Sequence, residues 1–220
     1  MPRASRIVAI KEAHLVYQRA GRPGVFSSDK DRQSYLEILK GSCEEHKLDV
    51  LAYCLVRDGA YLVVRPRSVR SIELGIGRAQ FSYAHYLKRK GKSIEGLWRN
   101  RFQSCPVDKK KFWTVVQFVE CQPVYSKAGA ASSYKWSSAK AHITGKDPYD
   151  LLALDVWPEK RSRKQWASLL RKSLSKDVQE YIRVTLQTGR PWGSDAFIKS
   201  LERKYKRRLR ALPIGRPVGT

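Results

Sequence analysis

Apolar residues in the first half of the chain occur in short runs and at helical spacing, and these patterns predict a regular order of strands and helices. Runs of β-branched and aromatic residues between turn residues predict strands, and apolar residues three or four positions apart predict helices. The predicted elements are a strand near 7–18, a helix from Ser28 or Asp29 to about 46, strands at 48–56 and 60–65, a helix from 68 to about 90, a strand near 102–107, and a helix from Asp108 or Lys109 to just before Pro123. Asp58 and Gly59 are typical of a tight hairpin turn between two of these strands.

This order of elements predicts an α+β fold. A strand, a helix, two strands, a helix and a strand form the split βαβ pattern of a ferredoxin-like sandwich, in which helices cover one face of an antiparallel sheet. We therefore expect a four-stranded ferredoxin-like sheet in the first part of the chain, followed by a further helix.

The last third of the chain predicts a helical extension. Residues 124–157 form a connection, and residues 163–186 have the apolar spacing of one amphipathic helix or a pair of helices, ending at Gly189. Ser194 is expected to cap a final, strongly basic helix. We divide the chain into a domain at 1–157 and a basic helical module at 158–220. Two helices joined by a Gly/Pro turn resemble a helix-turn-helix module, and the alternative is a helical brace for the main domain.

The charge of the chain indicates a polyanionic partner. It has 44 Lys and Arg residues against 20 Asp and Glu residues, for a formal net charge of +24. Residues 1–157 contain 27 basic and 15 acidic residues, and residues 158–220 contain 17 and 5, so each part has a net charge of +12. An excess this large favours nucleic acid as the partner.

The sequence gives no sign of export or of a membrane span. No apolar run approaches the roughly 20 residues that cross a bilayer, and charged residues interrupt the first 16 positions. The four cysteines (Cys43, Cys54, Cys105 and Cys121) form no Cys-x-x-Cys pair, so we expect reduced thiols in or near the core. We expect a cytoplasmic, nucleoid-associated protein with no membrane partner.

Several short segments, in order along nearly the whole chain, resemble the REP-associated tyrosine transposases, a bacterial group within the HUH single-strand transposases. These segments are His14 with Arg19, residues 52–55 (AYCL), 83–86 (YAHY), 96–104 (GLWRNRFQS), 122–124 (QPV) and 134–139 (YKWSSA), and the tail from 189 to 217. Each segment alone is a weak signal, but their ordered combination is specific.

The resemblance implies a ferredoxin-like nuclease that recognises folded single-stranded DNA and cleaves it through a tyrosine. In that family two histidines, one residue apart on a central strand, hold Mg²⁺ or Mn²⁺, because alternate residues of a strand point to the same face. A tyrosine on the helix after the fourth strand attacks phosphorus, and an Asn or Gln four residues later completes the metal shell.

The positions that match this catalytic site are altered here. The two histidines are matched by Gly59 and Tyr61, the tyrosine by Phe118 and the Asn or Gln by Gln122. Glycine has no side chain, a neutral phenol is a poor ligand for a hard cation, and phenylalanine has no nucleophilic oxygen. Gln122 keeps a competent side chain, with helix capping before Pro123 as its alternative role. We therefore expect a catalytically degenerate member that requires no metal cofactor.

The candidate binding residues are the cations and aromatic rings that contact phosphates and unpaired bases. They are Arg19; Trp98, Arg99, Arg101 and Phe102; Lys109, Lys110 and Lys111; Arg203, Lys204, Arg207 and Arg208, expected within about 1.5 turns of the final helix; and Arg216 in a Gly-Arg-Pro tail. Three alternatives stay open: Trp98 and Phe102 are core residues, the three lysines are a solvated helix start, and the tail is a disordered end. We interpret His14 as structural.

The leading hypothesis is a DNA-binding protein that binds hairpin or palindromic single-stranded DNA without cleaving it. One alternative is an active transposase in which Tyr61 or Tyr125 replaces the nucleophile, or in which a partner lends the missing residues. Tyr125 lies seven residues after Phe118, but Pro123 is expected to interrupt the helix between them. Another alternative is structured RNA, which the charge and the aromatic residues allow equally. The sequence leaves open whether the chain forms a homodimer.

Overall fold

The computed structural model describes residues 6–154 and 162–210. It contains a four-stranded antiparallel sheet with the strand order β2-β3-β1-β4. The strands are β1 (Ala13–Arg19), β2 (Leu48–Val56), β3 (Gly59–Pro66) and β4 (Gln103–Val107). Strands β1 and β2 run parallel to each other with β3 between them, so the predicted split βαβ arrangement of a ferredoxin-like sandwich is confirmed.

The helices include all those predicted, with the predicted caps at Ser28, Gly189 and Ser194, and two short helices at 122–125 and 139–144 that were not expected. They are α1 (Asp29–Glu45), α2 (Ser71–Arg89), α3 (Phe112–Glu120), α4 (Gln122–Tyr125), α5 (Ala139–Thr144), α6 (Arg163–Leu170), α7 (Lys176–Thr188) and α8 (Asp195–Tyr205). The hydroxyls of Ser28 and Ser194 accept hydrogen bonds from backbone N–H groups in the first turns of α1 and α8. Gly189, with a φ of 69°, ends α7 in the left-handed conformation.

Two predicted boundaries are wrong. Strand β1 begins at Ala13 rather than near residue 7, since Lys11 has a positive φ of 65° that breaks the extended run. The helix predicted from Asp108 or Lys109 starts with a 3₁₀ turn (Lys109–Lys111), and α3 begins only at Phe112. The carboxylate of Asp108 caps that turn by accepting a hydrogen bond from the backbone N–H of Lys110.

The sheet is buried on both faces, which explains the nearly continuous apolar run of β2. Helices α1 and α2 pack on one face, where Leu36 and Ile76 share a core with Leu62. Helices α3, α6 and α7 pack on the other face, around Leu15 and Val63. The predicted helical layer is therefore present, and α3 and the C-terminal helices add a second layer behind the sheet.

The C-terminal helices extend the core of the sheet. Residues 163–186 form the predicted pair of helices, and Trp166 of α6 and Ile182 of α7 are buried in the second core. Helix α8 packs Leu201 against Ile7. This packing agrees with the alternative in which the C-terminal helices brace the main domain. The predicted division between residues 157 and 158 lies in 155–161, outside the described residues, and stays a prediction.

A buried carboxylate joins α3 to α5 and α6. Glu120 is fully buried, and its Oε1 accepts a hydrogen bond from the hydroxyl of Ser138 at 2.5 Å and lies 2.5 Å from Nδ1 of His142. Its Oε2 accepts a hydrogen bond from the indole N–H of Trp166 at 2.8 Å. Since a buried carboxylate is stable only when its oxygens have such partners, this cluster fixes α6 on the main domain.

A second buried carboxylate connects α1 to the end of α2. The carboxylate of Asp31 accepts hydrogen bonds from the ammonium groups of Lys90 at 2.9 Å and Lys92 at 2.7 Å. Burial alone would raise the pKa of Asp31, but hydrogen bonds from Lys92, Lys90, Ser27 and Ser28 hold that pKa well below its usual range. Asp31 is therefore ionised at neutral pH and contributes to stability there.

His14 and the cysteines are structural. Nε2 of His14 accepts a hydrogen bond from the backbone N–H of Ala9 at 3.1 Å, and Nδ1 lies 2.9 Å from the carbonyl oxygen of Glu12. Burial lowers the pKa of His14 to about 4, so the ring is neutral at pH 7. All four cysteines are buried free thiols. Both interpretations from the sequence are confirmed.

Candidate functional site

A cleft of about 840 Å³ opens where one end of the sheet meets the C-terminal half of α7. Tyr17 and Tyr61 of the sheet line it, as do residues 99–104 before and within β4. Six arginines line the cleft: Arg6, Arg19, Arg99, Arg101, Arg183 and Arg207. Among the described residues, Asp58 is the only carboxylate in the lining. The cleft, which we call the arginine cleft, is thus strongly positive.

The arginines reach the cleft from distant parts of the chain. Arg6 precedes β1 and Arg19 ends it, two more come from the loop before β4, Arg183 is on α7, and Arg207 follows α8. Burial and the charge of Arg101 lower the pKa of Arg6 from its usual value. A planar guanidinium can donate two parallel hydrogen bonds to a phosphate, and clustered cations in a cleft concentrate the field that attracts a polyanion.

A stacked pair of tyrosines includes Tyr61, one of the two strand positions at which the resemblance places a metal ligand. Tyr17 of β1 lies opposite Tyr61 of β3, and their rings stack with centroids 4.1 Å apart and 16° between the planes. Gly59 has a φ of 150°, which favours glycine. A Cβ atom at Gly59 would lie 2.1 Å from the carbonyl oxygen of Gln18 and 3.0 Å from Cε2 of Tyr17. The backbone at position 59 therefore leaves no space for a histidine.

The two helical positions that match the expected catalytic site, Phe118 and Gln122, are also occupied by structural contacts. Phe118 of α3 is fully buried, and its ring meets that of Tyr61 edge-on with centroids 6.0 Å apart. Nε2 of Gln122 donates a hydrogen bond to the carbonyl oxygen of Phe118 at 2.9 Å. This side chain therefore gives a hydrogen-bond partner to a carbonyl group in the last turn of α3. Within the described parts of the chain, no group of three His, Cys, Asp or Glu residues is placed to hold a metal ion. The residues at positions 59, 61, 118 and 122 do not fit a divalent cation.

Neither tyrosine considered as a substitute nucleophile is activated. Burial, with the nearby Tyr17 and Asp58, raises the pKa of Tyr61 far above its usual value. Burial also raises the pKa of Tyr125, whose hydroxyl oxygen accepts a hydrogen bond from the backbone N–H of Leu174 at 3.4 Å. A phenol attacks phosphorus as the phenolate, so a raised pKa opposes nucleophilic attack at neutral pH. α3 ends at Glu120 and the short α4 follows, so the helix is interrupted near Pro123, as the sequence predicts.

Comparison with known proteins identifies the family. Residues 8–122 match the family model described as "Transposase IS200 like", which is more than half of the chain. The chain belongs to the IS200-like transposase family. The predicted resemblance is confirmed at the level of the family, and the curated proteins give no match to the sequence.

Two solved structures are similar to this IS200-like transposase family member. One is a REP-associated tyrosine transposase bound to a REP hairpin, with 12% sequence identity, 68% of this chain and 90% of that chain covered, and a TM-score of 0.58. The other is a candidate transposase from Deinococcus radiodurans, with 19% identity, 56% and 98% coverage, and a TM-score of 0.38. The first match shows a shared fold, and the second is too distant in structure to support an argument.

The loop before β4 places Arg99, Arg101 and Phe102 in the lining of the arginine cleft of this family member, but not Trp98. Arg99 and Arg101 are exposed and line the cleft with Arg19. Trp98 packs against the core formed around α1 and α2, and Phe102 is 6% exposed, with the guanidinium of Arg6 3.7 Å above the centroid of its ring. This packing favours the alternative that Trp98 and Phe102 are core residues, and the stacking on bases expected of them stays a prediction.

The predicted lysine cluster lies outside the arginine cleft. Lys109, Lys110 and Lys111 are exposed in the 3₁₀ turn before α3 and are absent from the cleft lining. Nζ of Lys111 lies 5.8 Å from the centroid of the Trp192 ring. A contact between these lysines and phosphate stays a prediction, beside the alternative of a solvated helix start.

The basic residues near the C-terminal end of α8 do not all lie on that helix. Arg203 and Lys204 are exposed on α8, but the helix ends at Tyr205 because Lys206 adopts the left-handed conformation with a φ of 48°. The expectation that Arg207 and Arg208 share the helix with them is therefore wrong: Arg207 lines the arginine cleft and Arg208 is exposed elsewhere. Arg216 lies outside the described residues, and its expected contact stays a prediction.

Sequence reasoning missed two arginines of the cleft. Neither Arg6 nor Arg183 is among the candidate binding residues of the sequence analysis. Arg183 in fact lies above the ring of Phe118, with its guanidinium carbon 5.9 Å from the ring centroid. The signal that could have identified it is its position four residues after the buried Gln179, on the edge of the apolar stripe of α7.

Proposed function

We propose that this member of the IS200-like transposase family binds structured single-stranded DNA in the arginine cleft and does not cleave it. One observation supports the proposal above all: six arginines line the cleft, while positions 59, 61 and 118 within and beside it hold no metal ligand and no nucleophile. The solved relative with the same fold is bound to a REP hairpin, which supports a DNA hairpin as the ligand.

The chemistry of the cleft suits a single strand. Phosphates of a single strand can contact guanidinium groups from separate elements of the fold, since Arg183 is on α7 and Arg99 and Arg101 are on the loop before β4. The polar cleft residues Asn100 and Gln187 can hydrogen-bond the edges of unpaired bases. The exposed cations outside the cleft, Lys109 to Lys111 with Arg203 and Lys204, are the proposed contacts of a paired stem.

The lack of cleavage follows from the residues present. Family-type cleavage requires a metal-polarised phosphate and an attacking phenolate, and positions 59, 61 and 118 supply neither. The hydroxyls of Tyr61 and Tyr125 have raised pKa values and stay protonated at neutral pH. We therefore propose a metal-independent DNA-binding protein that associates with the bacterial nucleoid.

A binding experiment tests the ligand. A DNA hairpin with an unpaired flank, a duplex of the same sequence and the matching RNA hairpin are each titrated with the protein at several salt concentrations. We expect the DNA hairpin to bind most tightly, and we expect Arg183→Ala to weaken binding more than Arg89→Ala, which removes an equal charge from α2 outside the cleft. Equal weak affinity for all three ligands would refute the proposal. Tighter binding of the RNA hairpin would show that the partner is RNA rather than DNA.

A second experiment tests the chemistry. The labelled DNA hairpin is incubated with the protein and Mg²⁺ or Mn²⁺, and covalent adducts and cleaved strands are separated on denaturing gels. We expect neither product. An adduct that disappears in Tyr61→Phe or Tyr125→Phe would show that a substitute nucleophile is active, and the proposal of silent binding would fail.

A further inference from the structure

We propose that Asp58 selects the base that enters the arginine cleft, by accepting a hydrogen bond from an amino group of that base. This inference rests on the proposed function, because it assumes that a single strand occupies the cleft. It adds a specificity-determining residue that reads a base, whereas the arginines hold phosphates without reading sequence.

Asp58 is placed and oriented for such a role. It is exposed in the two-residue turn between β2 and β3 and lines the cleft. The hydroxyl of Tyr17 lies 3.1 Å from both the backbone carbonyl oxygen and Oδ2 of Asp58, so it holds the side chain at one edge of the cleft. Tyr17 is itself fixed by stacking on Tyr61. The carboxylate is therefore attached to a rigid part of the sheet.

Within the described part of the chain, the carboxylate of Asp58 forms no ion pair, although six arginines line the same cleft. A carboxylate that faces a phosphate costs affinity by charge repulsion, so Asp58 cannot assist the backbone contacts of the cleft. An ionised carboxylate can only accept hydrogen bonds. Its natural partner in a bound strand is a donor, and the donors of nucleic acids are mainly the amino groups of cytosine, adenine and guanine.

The chemistry of Asp58 differs from that of the other polar residues in the cleft. Asn100, Gln103 and Gln187 are amides that both donate and accept, so they can adapt to any base edge. Asp58 rejects an edge that offers carbonyl oxygens, as thymine does on both sides of its N3–H group. The inferred preference is therefore for an unpaired base that carries an amino group, with thymine disfavoured at that position.

The position of Asp58 in a hairpin turn offers a simpler explanation, which the substitution Asp58→Asn separates from ours. Aspartate and asparagine are both common in tight hairpin turns, for the same backbone reasons. Asparagine thus preserves the turn and the size of the side chain while removing the charge and adding a donor. If Asp58 serves the turn alone, Asp58→Asn will leave base preference unchanged.

The test is a scan of amino groups on a DNA hairpin chosen by selection from a library with random unpaired positions. At each unpaired position the base is replaced by its analogue without the amino group: inosine for guanosine, nebularine for adenosine and zebularine for cytidine, all as deoxynucleosides. For the wild-type protein we expect one position at which the loss of the amino group weakens binding about tenfold, at the lower end of a good base contact. For Asp58→Asn we expect that difference to fall to about twofold or less.

Two further variants complete the test. Glu37→Gln removes one negative charge from α1, outside the cleft, and should keep the wild-type sensitivity to the amino group. Tyr17→Phe releases the carboxylate from its hydrogen bond and should lower that sensitivity in part. The inference is overturned if Asp58→Asn keeps the tenfold difference, or if no position is sensitive in the wild-type protein. Failure of the wild-type protein to bind any hairpin would instead overturn the proposed function.

Discussion

The salt dependence of DNA binding gives the most quantitative prediction for the arginine cleft. Each phosphate neutralised on a single strand contributes a slope of about −0.7 to the dependence of log K on log salt. Six arginines line the cleft, so one phosphate for each arginine gives a slope of about −4. Affinity should then fall a few hundredfold between about 50 and 200 mM salt.

Substitution of single arginines should change this slope by a fixed step. Arg99→Ala and Arg183→Ala should each make the slope shallower by about 0.7, and the double variant by about 1.4, if each arginine, one on the loop before β4 and one on α7, neutralises its own phosphate. Fluorescence anisotropy of a labelled hairpin over a series of KCl concentrations measures each slope. Arg89→Ala is the matched control and should leave the slope within error of the wild type. A wild-type slope near −1 would refute the assignment of the arginine cleft as the DNA-binding site. An equal change of slope for Arg89→Ala and Arg183→Ala would refute it too.

Three further predictions concern the architecture that supports the cleft. Glu120→Ala should lower the free energy of unfolding by about 3–5 kcal/mol in urea titrations, because it leaves several buried donors without their acceptor. Asp31→Asn should destabilise the protein at neutral pH, and the difference from wild type should shrink as the pH falls below about 4. The folded-state pKa of Asp31 is depressed, so the stabilisation by Lys90 and Lys92 is present above the unfolded-state pKa and is lost as the pH falls from there toward the folded-state pKa. Gly59→His should lower the melting temperature, and Mn²⁺ should not restore it, since a Cβ atom at this position overlaps the β1 backbone.

Each of these predictions has a clear opposite result. A loss of less than about 1 kcal/mol for Glu120→Ala would mean that the fixation of α6 does not depend on the carboxylate. A stability difference for Asp31→Asn that persists unchanged to pH 2 would contradict the linkage to ionisation. Stabilisation of Gly59→His by Mn²⁺ would show that the backbone at position 59 adapts to a metal ligand.

Much of the fold could be predicted from the sequence because local patterns agree with tertiary structure there. The caps at Ser28 and Ser194 and the stop at Gly189 are local signals that appear where they were expected. The hairpin turn lies one residue earlier than expected, at Arg57 and Asp58, because Gly59 already pairs with Val56 in the sheet. The resemblance also proposes which positions match the catalytic site, and the assignment of the nucleophile position to Phe118 stays a prediction.

The cleft itself could not be predicted in full, because its charges come from residues far apart in the chain. Nothing local marks Arg6 or Arg183 as neighbours of the loop before β4, and the burial of Trp98 depends on packing against α1 and α2. The left-handed Lys206 carries no turn signal that separates Arg207 from α8. Tertiary context determined each of these features.

The spread of the arginine cleft over the chain has a consequence for the order in which the protein gains its charge during synthesis. A product that stops before α7 contains four of the six arginines and lacks the wall that carries Arg183. We expect fragments that end before α7 to bind a polyanion more weakly than the longer chain. The full set of six arginines comes together only when the residues as far as Arg207 have been synthesised.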